Sequence, residues 1–389
     1  MVRRSVVAFA AVLLCGIAGR VTAATHASSF EAFPMTVDGL DPSTRSAGMG
    51  GASGAVFWGD ITDHWANPAL LGFVSGVRYT DDVTSFLPSG SLDFVARQTT
   101  AGFGGLGFSF VGEPLAGLGK RESAIHTTYG TAYTPTENVT IYQRVRSWGA
   151  GASLTSVLAS AAQLRHQEAP TLTRHLDVAF GFSEKVEEAG ITTTPPSKSR
   201  GVSRDLGFLF RTGTTLKRGG GDAMPLRLDA SYGFSIVGSG YGHVGTSPIV
   251  RDVRNAIAAH ASLETHPVGR RMLPLWLAPA LAPLISLGVA YDAERVTVAS
   301  APVFDYSRNH YGAELGITRA LTFQAGLVNN PHHSWEGTWG LAAALPLGRF
   351  GGVRYGYARV QAANVFLDDI PHRSWSVWLD PVAIAHRER

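Results

Sequence analysis

RLDASYGFSI, residues 227–236, decides how this chain is read. Its even positions, Leu228, Ala230, Tyr232, Phe234 and Ile236, are apolar. Its odd positions, Arg227, Asp229, Ser231, Gly233 and Ser235, are polar or small. Successive side chains of a strand point to opposite faces, so a period of two marks a strand with one greasy face.

The same rhythm spreads outward from this stretch. Tyr311, Ala313, Leu315 and Ile317 alternate with Gly312, Glu314, Gly316 and Thr318. After Thr318-Arg319-Ala320 the pattern resumes as Leu321, Phe323, Ala325 and Leu327, which reads as a hairpin. Leu106, Phe108 and Phe110 carry it, as do Ile125, Tyr129 and Tyr133, Leu176, Val178, Phe180 and Phe182, and Leu206, Phe208 and Phe210. Trp339 to Leu345, Val353 to Tyr357 and Trp375 to Leu379 follow. Roughly a dozen to fifteen segments result, each near the ~9–11 residues that cross a bilayer as a tilted strand.

A soluble β-sandwich also alternates. Its outer face, however, is normally well charged, and here charged residues are only 16% of the chain, against roughly 25% in an ordinary soluble domain. The face opposite the large residues is often glycine, serine or threonine, and there are 45 glycines. Aromatics such as Trp335, Trp339, Trp375 and Trp378 sit near segment ends, where interfacial girdles fall. The reading is an all-β, transmembrane antiparallel β-barrel.

Some segments break the rhythm. Arg251–Glu264, rich in alanine, is expected as a short helix outside the wall. Ser147–Gln167 is ambiguous between strand and helix. Gly190–Ser203 and Thr212–Pro225 are expected as exposed loops. In the apolar run Met272–Ala290, Pro274, Pro279 and Pro283 argue against a helix, leaving an apolar loop and then a strand from Ile285.

The chain begins with a basic start at Arg3 and Arg4, a short apolar core, and the small-residue pattern Val21-Thr22-Ala23. Residues 1–23 are thus expected to be a signal peptide, and the chain to be exported. That leader holds Arg3, Arg4 and Arg20 and no acid, so its removal takes 33 basic residues to 30, level with the 30 acidic ones. The balance gives no case for a nucleic-acid partner. Cys15, the only cysteine, lies within the leader, so no disulfide or thiolate site is expected beyond it.

Between leader and barrel stands RSAGMGGASGAVFWGDITDHWANPALLGF, residues 45–73. Gly48, Gly50, Gly51 and Gly54 permit close-packed backbone. A phosphate loop needs a Gly-Lys-Ser/Thr ending and a dinucleotide loop needs a βαβ unit, and neither is present. Asn67-Pro68-Ala69 fits a turn with an Asx contact and a fixed proline φ. Residues 24–73 therefore read as a folded plug or a barrel-entry element, and 74–389 as the barrel. Arg45, Gly48, Gly50, Gly51, Asn67 and Pro68 are its structural residues. Met49, Phe57, Trp58 and Trp65 are candidates to line a small apolar ligand pocket.

The glycine-rich run Arg45–Ala55 and the turn Asn67–Ala69 resemble the N-terminal signature of the FadL-type outer-membrane transporters and their relatives, the PorV/PorQ-like proteins of type-nine secretion. Arg204–Phe208, the Tyr311–Leu327 hairpin and His372–Ser376 look PorV-like too. The chain departs from the pattern where Leu70 replaces the glycine that usually follows Asn-Pro-Ala. Its final residues, Ala385–Arg389, also lack the aromatic end that assembly machinery often reads. The resemblance implies a bacterial outer-membrane barrel of about fourteen strands with an N-terminal hatch. It would sit among outer-membrane lipid and lipopolysaccharide, and would pass hydrophobic small molecules or dock secreted proteins.

Enzymatic signatures are lacking: there is no Gly-x-Ser-x-Gly and no His-Glu-x-x-His. His332-His333 reads as a polar turn before it reads as a metal site, and Asp60, Asp63 and His64 as turn caps before an acid–base cluster. Tyr142, Arg144, Arg146 and Trp148 read as a plain strand face, and otherwise as lining a lumen or as a seat for lipopolysaccharide phosphate. No catalytic residue, metal or cofactor is assigned. Three functions stand. Passage of hydrophobic solutes predicts a kink or lateral gap in the wall. A secretion scaffold that holds exported proteins predicts a closed wall and an apolar patch near Met272–Pro283. A lipid-modifying enzyme of the outer leaflet predicts a perturbed carboxylate or histidine.

Overall fold

The computed structural model describes residues 42–59, 64–85, 93–111, 127–131, 139–164, 176–192, 197–216, 225–238, 250–263, 283–298, 305–329, 335–347, 351–361 and 369–379. All of them belong to one compact unit, Phe33–Arg389. The expected leader lies outside the described residues, as do Asp60, Asp63, His332, His333 and residues 272–282.

Fifteen strands make up the wall. They are β1 (Gly76–Ser85), β2 (Asp93–Phe103), β3 (Leu106–Val111), β4 (Thr127–Thr131) and β5 (Val139–Ser153). Then come β6 (Leu176–Thr192), β7 (Ser197–Leu216), β8 (Leu226–Val237), β9 (Val250–Leu263) and β10 (Ile285–Val298). The last are β11 (Tyr306–Ile317), β12 (Leu321–Asn329), β13 (Glu336–Pro346), β14 (Gly351–Val360) and β15 (Ile370–Leu379). Two short α-helices, α1 (Thr44–Gly48) and α2 (Leu154–Leu164), and a 3-10 helix, Pro68–Phe73, complete the described elements.

Each strand pairs antiparallel with its sequence neighbour, except that β3 and β4 pair with β5 and not with each other, and β1 pairs with β15. The sheet therefore closes on itself. β3 and β4 both pair with β5, along its second and first halves, so fifteen strands fill fourteen positions in the wall. The fold is a closed, fourteen-position antiparallel barrel. Its strands are tilted, as closure requires. A line of paired residues, Phe103, Leu106, Ala152, Phe180, Phe208 and Phe234, climbs on through Asn255, Ala293 and Asn309 to Asn329. It starts at the rim where β1 begins, the near rim, and ends at the opposite, far rim.

Alternation settles the two faces. Leu206 and Phe210 of β7, Phe323 and Leu327 of β12, and Trp375 and Leu379 of β15 are exposed on the outside. Alternating with them are buried polar residues such as Asp205, Gln324 and Ser376, which face inward. A soluble protein would invert this arrangement; a greasy exterior around a polar interior is the membrane-barrel pattern.

The sequence reading needs three corrections. Arg251–Glu264 is not a helix but most of β9. Its Ala256 and Ala258 face inward against the plug, where close packing overrides the helical preference of alanine. Gly190–Ser203 is largely strand: β6 runs to Thr192, β7 starts at Ser197, and Ile191 pairs with Ser197. Thr212–Pro225 likewise yields to β7 as far as Leu216. In both stretches the ladder satisfies backbone groups without apolar alternation, so the period was silent. Ser147–Gln167 resolves into both alternatives: strand to Ser153, then α2. Ser153 Oγ accepts a hydrogen bond from the Ser156 amide at 3.1 Å and donates one to Asp177 at 2.6 Å, marking the change.

Candidate functional site

The lumen is filled by the stretch that precedes β1. Ser43 caps α1, its hydroxyl accepting from the Ser46 amide at 3.2 Å. The chain then turns through Gly50 and Gly51, both at positive φ, a conformation that side chains resist. After residues 60–63 it re-forms as the 3-10 helix. Asn67 caps that helix: its Oδ1 accepts from the Ala69 amide at 3.0 Å, the Asx contact that Asn67-Pro68-Ala69 predicts.

Two kinds of contact hold the plug. The first is backbone on backbone. Gly76, Gly102, Gly107, Gly151, Gly181 and Gly207 are paired one to the next across six strands and form a continuous row. The 3-10 helix lies along it. A methyl group at Gly107 would sit 1.9 Å from the Leu71 carbonyl oxygen, and one at Gly181 would sit 2.1 Å from Pro68. The row is therefore a slot that admits only glycine.

The second kind is polar. Arg45 makes a bidentate pair with Glu314 of β11, Nε to Oε2 and Nη2 to Oε1, both at 2.7 Å. Its Nη1 donates to the Trp58 carbonyl at 2.5 Å, while Trp58 Nε1 donates to Glu314 Oε1 at 3.0 Å. Gln324 of β12 donates to Glu314 Oε2 at 3.1 Å. Asp292 of β10 accepts from the Ser53 and Gly54 amides at 3.1 and 2.8 Å. His310 of β11 meets the Gly50 carbonyl through Nδ1 at 2.7 Å and Glu294 through Nε2 at 2.8 Å. Thr338 donates to the Gly48 carbonyl at 3.0 Å, and Ser231 and Ser235 to those of Ala55 and Ala66 at 2.7 and 2.6 Å. Wall side chains thus satisfy plug backbone groups that no helix or sheet satisfies.

The four candidate pocket residues separate. Met49, Phe57 and Trp58 are buried in one cluster with Val56 and Leu70. Met49 abuts Gly312 and Gly326, and Trp58 abuts Gly288 and stacks on His260 at 4.9 Å between ring centroids. Phe57 lies edge-on to Trp58, with the Arg211 guanidinium 4.1 Å from its ring centroid. Trp65 stands apart from that cluster: its Nε1 donates to Gln98 at 3.2 Å, and Lys185 lies 4.7 Å over its ring. All four touch wall or plug. One cavity beside them, of about 10 Å³, is lined by Thr44, Arg45, Thr80, Asp82, Gln324 and Arg354, and has room for about one water.

Arg45, Gly48, Gly50, Gly51, Asn67 and Pro68 all lie in plug–wall contacts. The wall partners Glu314, Asp292 and His310 escaped the sequence reading. Glu314 stood in plain view as the one acid on the small face of its strand, and an inward acid in a greasy-outside barrel calls for a buried cation. His64 is buried beside Trp65, and among the described residues no three metal-ligating side chains come together.

Fold and site together define a class: a closed β-barrel corked by its own N-terminal segment. No protein-family model matches the chain, and no curated protein does. Among solved structures it is similar to the Ralstonia pickettii toluene transporter TbuX, at 14% identity over 88% of this chain and 97% of that one, with a TM-score of 0.39. It is similar to the Pseudomonas putida toluene transporter TodX, at 12% identity over 86% and 96%, with a TM-score of 0.39. It is also similar to a Pseudomonas aeruginosa FadL homologue, at 10% identity over 87% and 98%, with a TM-score of 0.35.

Proposed function

We propose that this is a non-enzymatic barrel of the bacterial outer membrane that passes hydrophobic small molecules sideways through its wall. The near rim, where β1 begins and β15 ends, faces the periplasm, and the far rim faces outward among outer-leaflet lipid.

One observation carries the reading. β3 pairs with β5 as far as Val111 against Ser147, and β4 resumes at Thr127 against Gln143. Three residues of β5, 144–146, thus stand against fifteen residues of chain, 112–126. Residues 112–126 lie outside the described residues, but fifteen residues are more chain than a regular strand needs opposite three, and this excess supports a lateral path. The lumen supports it from the other side, since the plug occupies it and its wall is lined with charged and hydroxyl side chains. An apolar solute dissolves in the bilayer more readily than it crosses such an interior. A secretion scaffold would instead keep this wall position continuous.

The test replaces residues 112–126 by a three-residue link matching the gap on β5. Proteoliposomes carrying the full chain are expected to take up an apolar fluorescent dye faster than empty vesicles, and the linked variant to fall to the empty-vesicle rate. Equal uptake by chain and variant, with both barrels still showing the gel shift of a folded barrel on unheated electrophoresis, would overturn lateral passage.

A further inference from the structure

The outer face of the barrel is not uniformly greasy. Towards the far rim the outward positions change from large apolar residues to arginine. On β5, Arg146 lies one outward position beyond Trp148; on β15, Arg373 lies one beyond Trp375. On β10, Arg295 follows the exposed Ile285, Leu287 and Val289, and on β9, Arg251 lies beyond Ile257. All four arginines are exposed. Arg97, Arg204 and Arg359 continue the band on β2, β7 and β14, each paired with an acid: Asp81 at 3.1 Å, Glu184 at 3.1 Å and Asp369 at 2.7 Å.

The near rim differs. Outward side chains there stay apolar to the edge at Phe103, Leu345 and Leu379, and are uncharged threonines at Thr212 and Thr214. Arg319, in the β11–β12 turn, is exposed at that rim. Below the arginines, none of the described outward positions in the greasy belt carries a charge except the paired Asp81. Among the described outward positions of the wall, basic charge is thus concentrated towards the far rim, beyond the tryptophans Trp148, Trp339 and Trp375.

We infer that this arginine collar is a binding surface for the phosphate groups of the phosphorylated glycolipid that forms the outer leaflet. The inference rests on the outer-membrane reading above. Three features select the occupant. The collar is continuous with the greasy belt, so its ligand carries acyl chains that lie along the wall. Among the described outward positions near this rim, seven arginines stand against four acids, Asp81, Glu184, Asp369 and Asp305, an excess that calls for anions. Arginine in place of lysine suits phosphate, because the planar guanidinium offers paired N–H donors to two phosphate oxygens. Four strands spread around the wall carry the exposed arginines, so the collar takes several glycolipids rather than one.

The full-length protein in detergent tests this by native mass spectrometry, with a bis-phosphorylated acylated glycolipid and its dephosphorylated form as probes. Wild type is expected to retain the phosphorylated probe at least tenfold better than the dephosphorylated one, and to lose that preference at high salt. The quadruple variant Arg146→Gln, Arg251→Gln, Arg295→Gln, Arg373→Gln is expected to lose the preference, its lysine counterpart to keep part of it, and Arg319→Gln to keep all of it. Equal retention of both probes by wild type, or unchanged preference in a folded quadruple variant, overturns the collar. Failure of wild type to enter phosphatidylcholine vesicles overturns instead the membrane reading beneath it.

Discussion

The two flanks of the lumen hold the same plug by opposite means. Along β2 to β7 the wall offers a row of glycines, and the 3-10 helix lies against bare backbone. Along β9 to β13 the wall offers Asp292, Glu314, His310 and Thr338, which reach into an irregular loop. The difference follows from what each plug segment needs. A helix satisfies most of its own backbone groups and gains by close packing alone. A loop through Gly48 to Trp58 leaves amides and carbonyls open, and burial of an unpaired group costs about 1–3 kcal/mol. The charged flank therefore supplies bonds where the glycine flank supplies space.

The sharpest break in this comparison is expected on the charged flank. Glu314→Ala removes the carboxylate that makes the bidentate pair with the buried Arg45 guanidinium, at a cost of about 3–5 kcal/mol. Dye leakage through reconstituted barrels should rise strongly. Arg45→Leu combined with Glu314→Leu should recover much of the seal, because the pair's net contribution is small once both charges are gone. If the double variant leaks as badly as Glu314→Ala, the pair does more than neutralise itself.

On the glycine flank the expected effect is smaller. Gly107→Ala forces its methyl onto the Leu71 carbonyl, an overpacking worth about 1–3 kcal/mol. Protease should then cut the plug faster in Gly107→Ala than in Gly337→Ala, where the nearest atom, on Gln361, is 3.4 Å away. Equal cutting would show that the slot is slack. Smallest is Asn67→Ala with Pro68→Ala, which removes the helix cap for about 1–2 kcal/mol and should raise leakage modestly. Unchanged leakage would mean that the helix holds its place without the cap.

Much of the wall was legible because one physical quantity, the period of two, repeats in every strand whose outer face is greasy. Leu226–Val237 reads directly from its letters. β9 was not legible: the alanines that plug contact requires are the residues a helix prefers. In the plug, Arg45 and Asn67 stood out as polar residues in a glycine-rich run. The glycine row did not stand out. Gly107, Gly151 and Gly181 are 44 and 30 residues apart, spacings set by strand and loop lengths, and only the register aligns them. The same holds for Glu314, whose partner lies 269 residues away.

The glycine row also bears on how the molecule is assembled. Its six members come from six strands, so the slot exists only after those strands have paired, each in the correct alignment. A slip of one residue turns a strand's faces inside out, and a slip of two brings Thr100 or Ser109 into the helix's path. The seated N-terminal segment is thus compatible only with the correct alignment, because a misaligned cylinder cannot accept its own stopper.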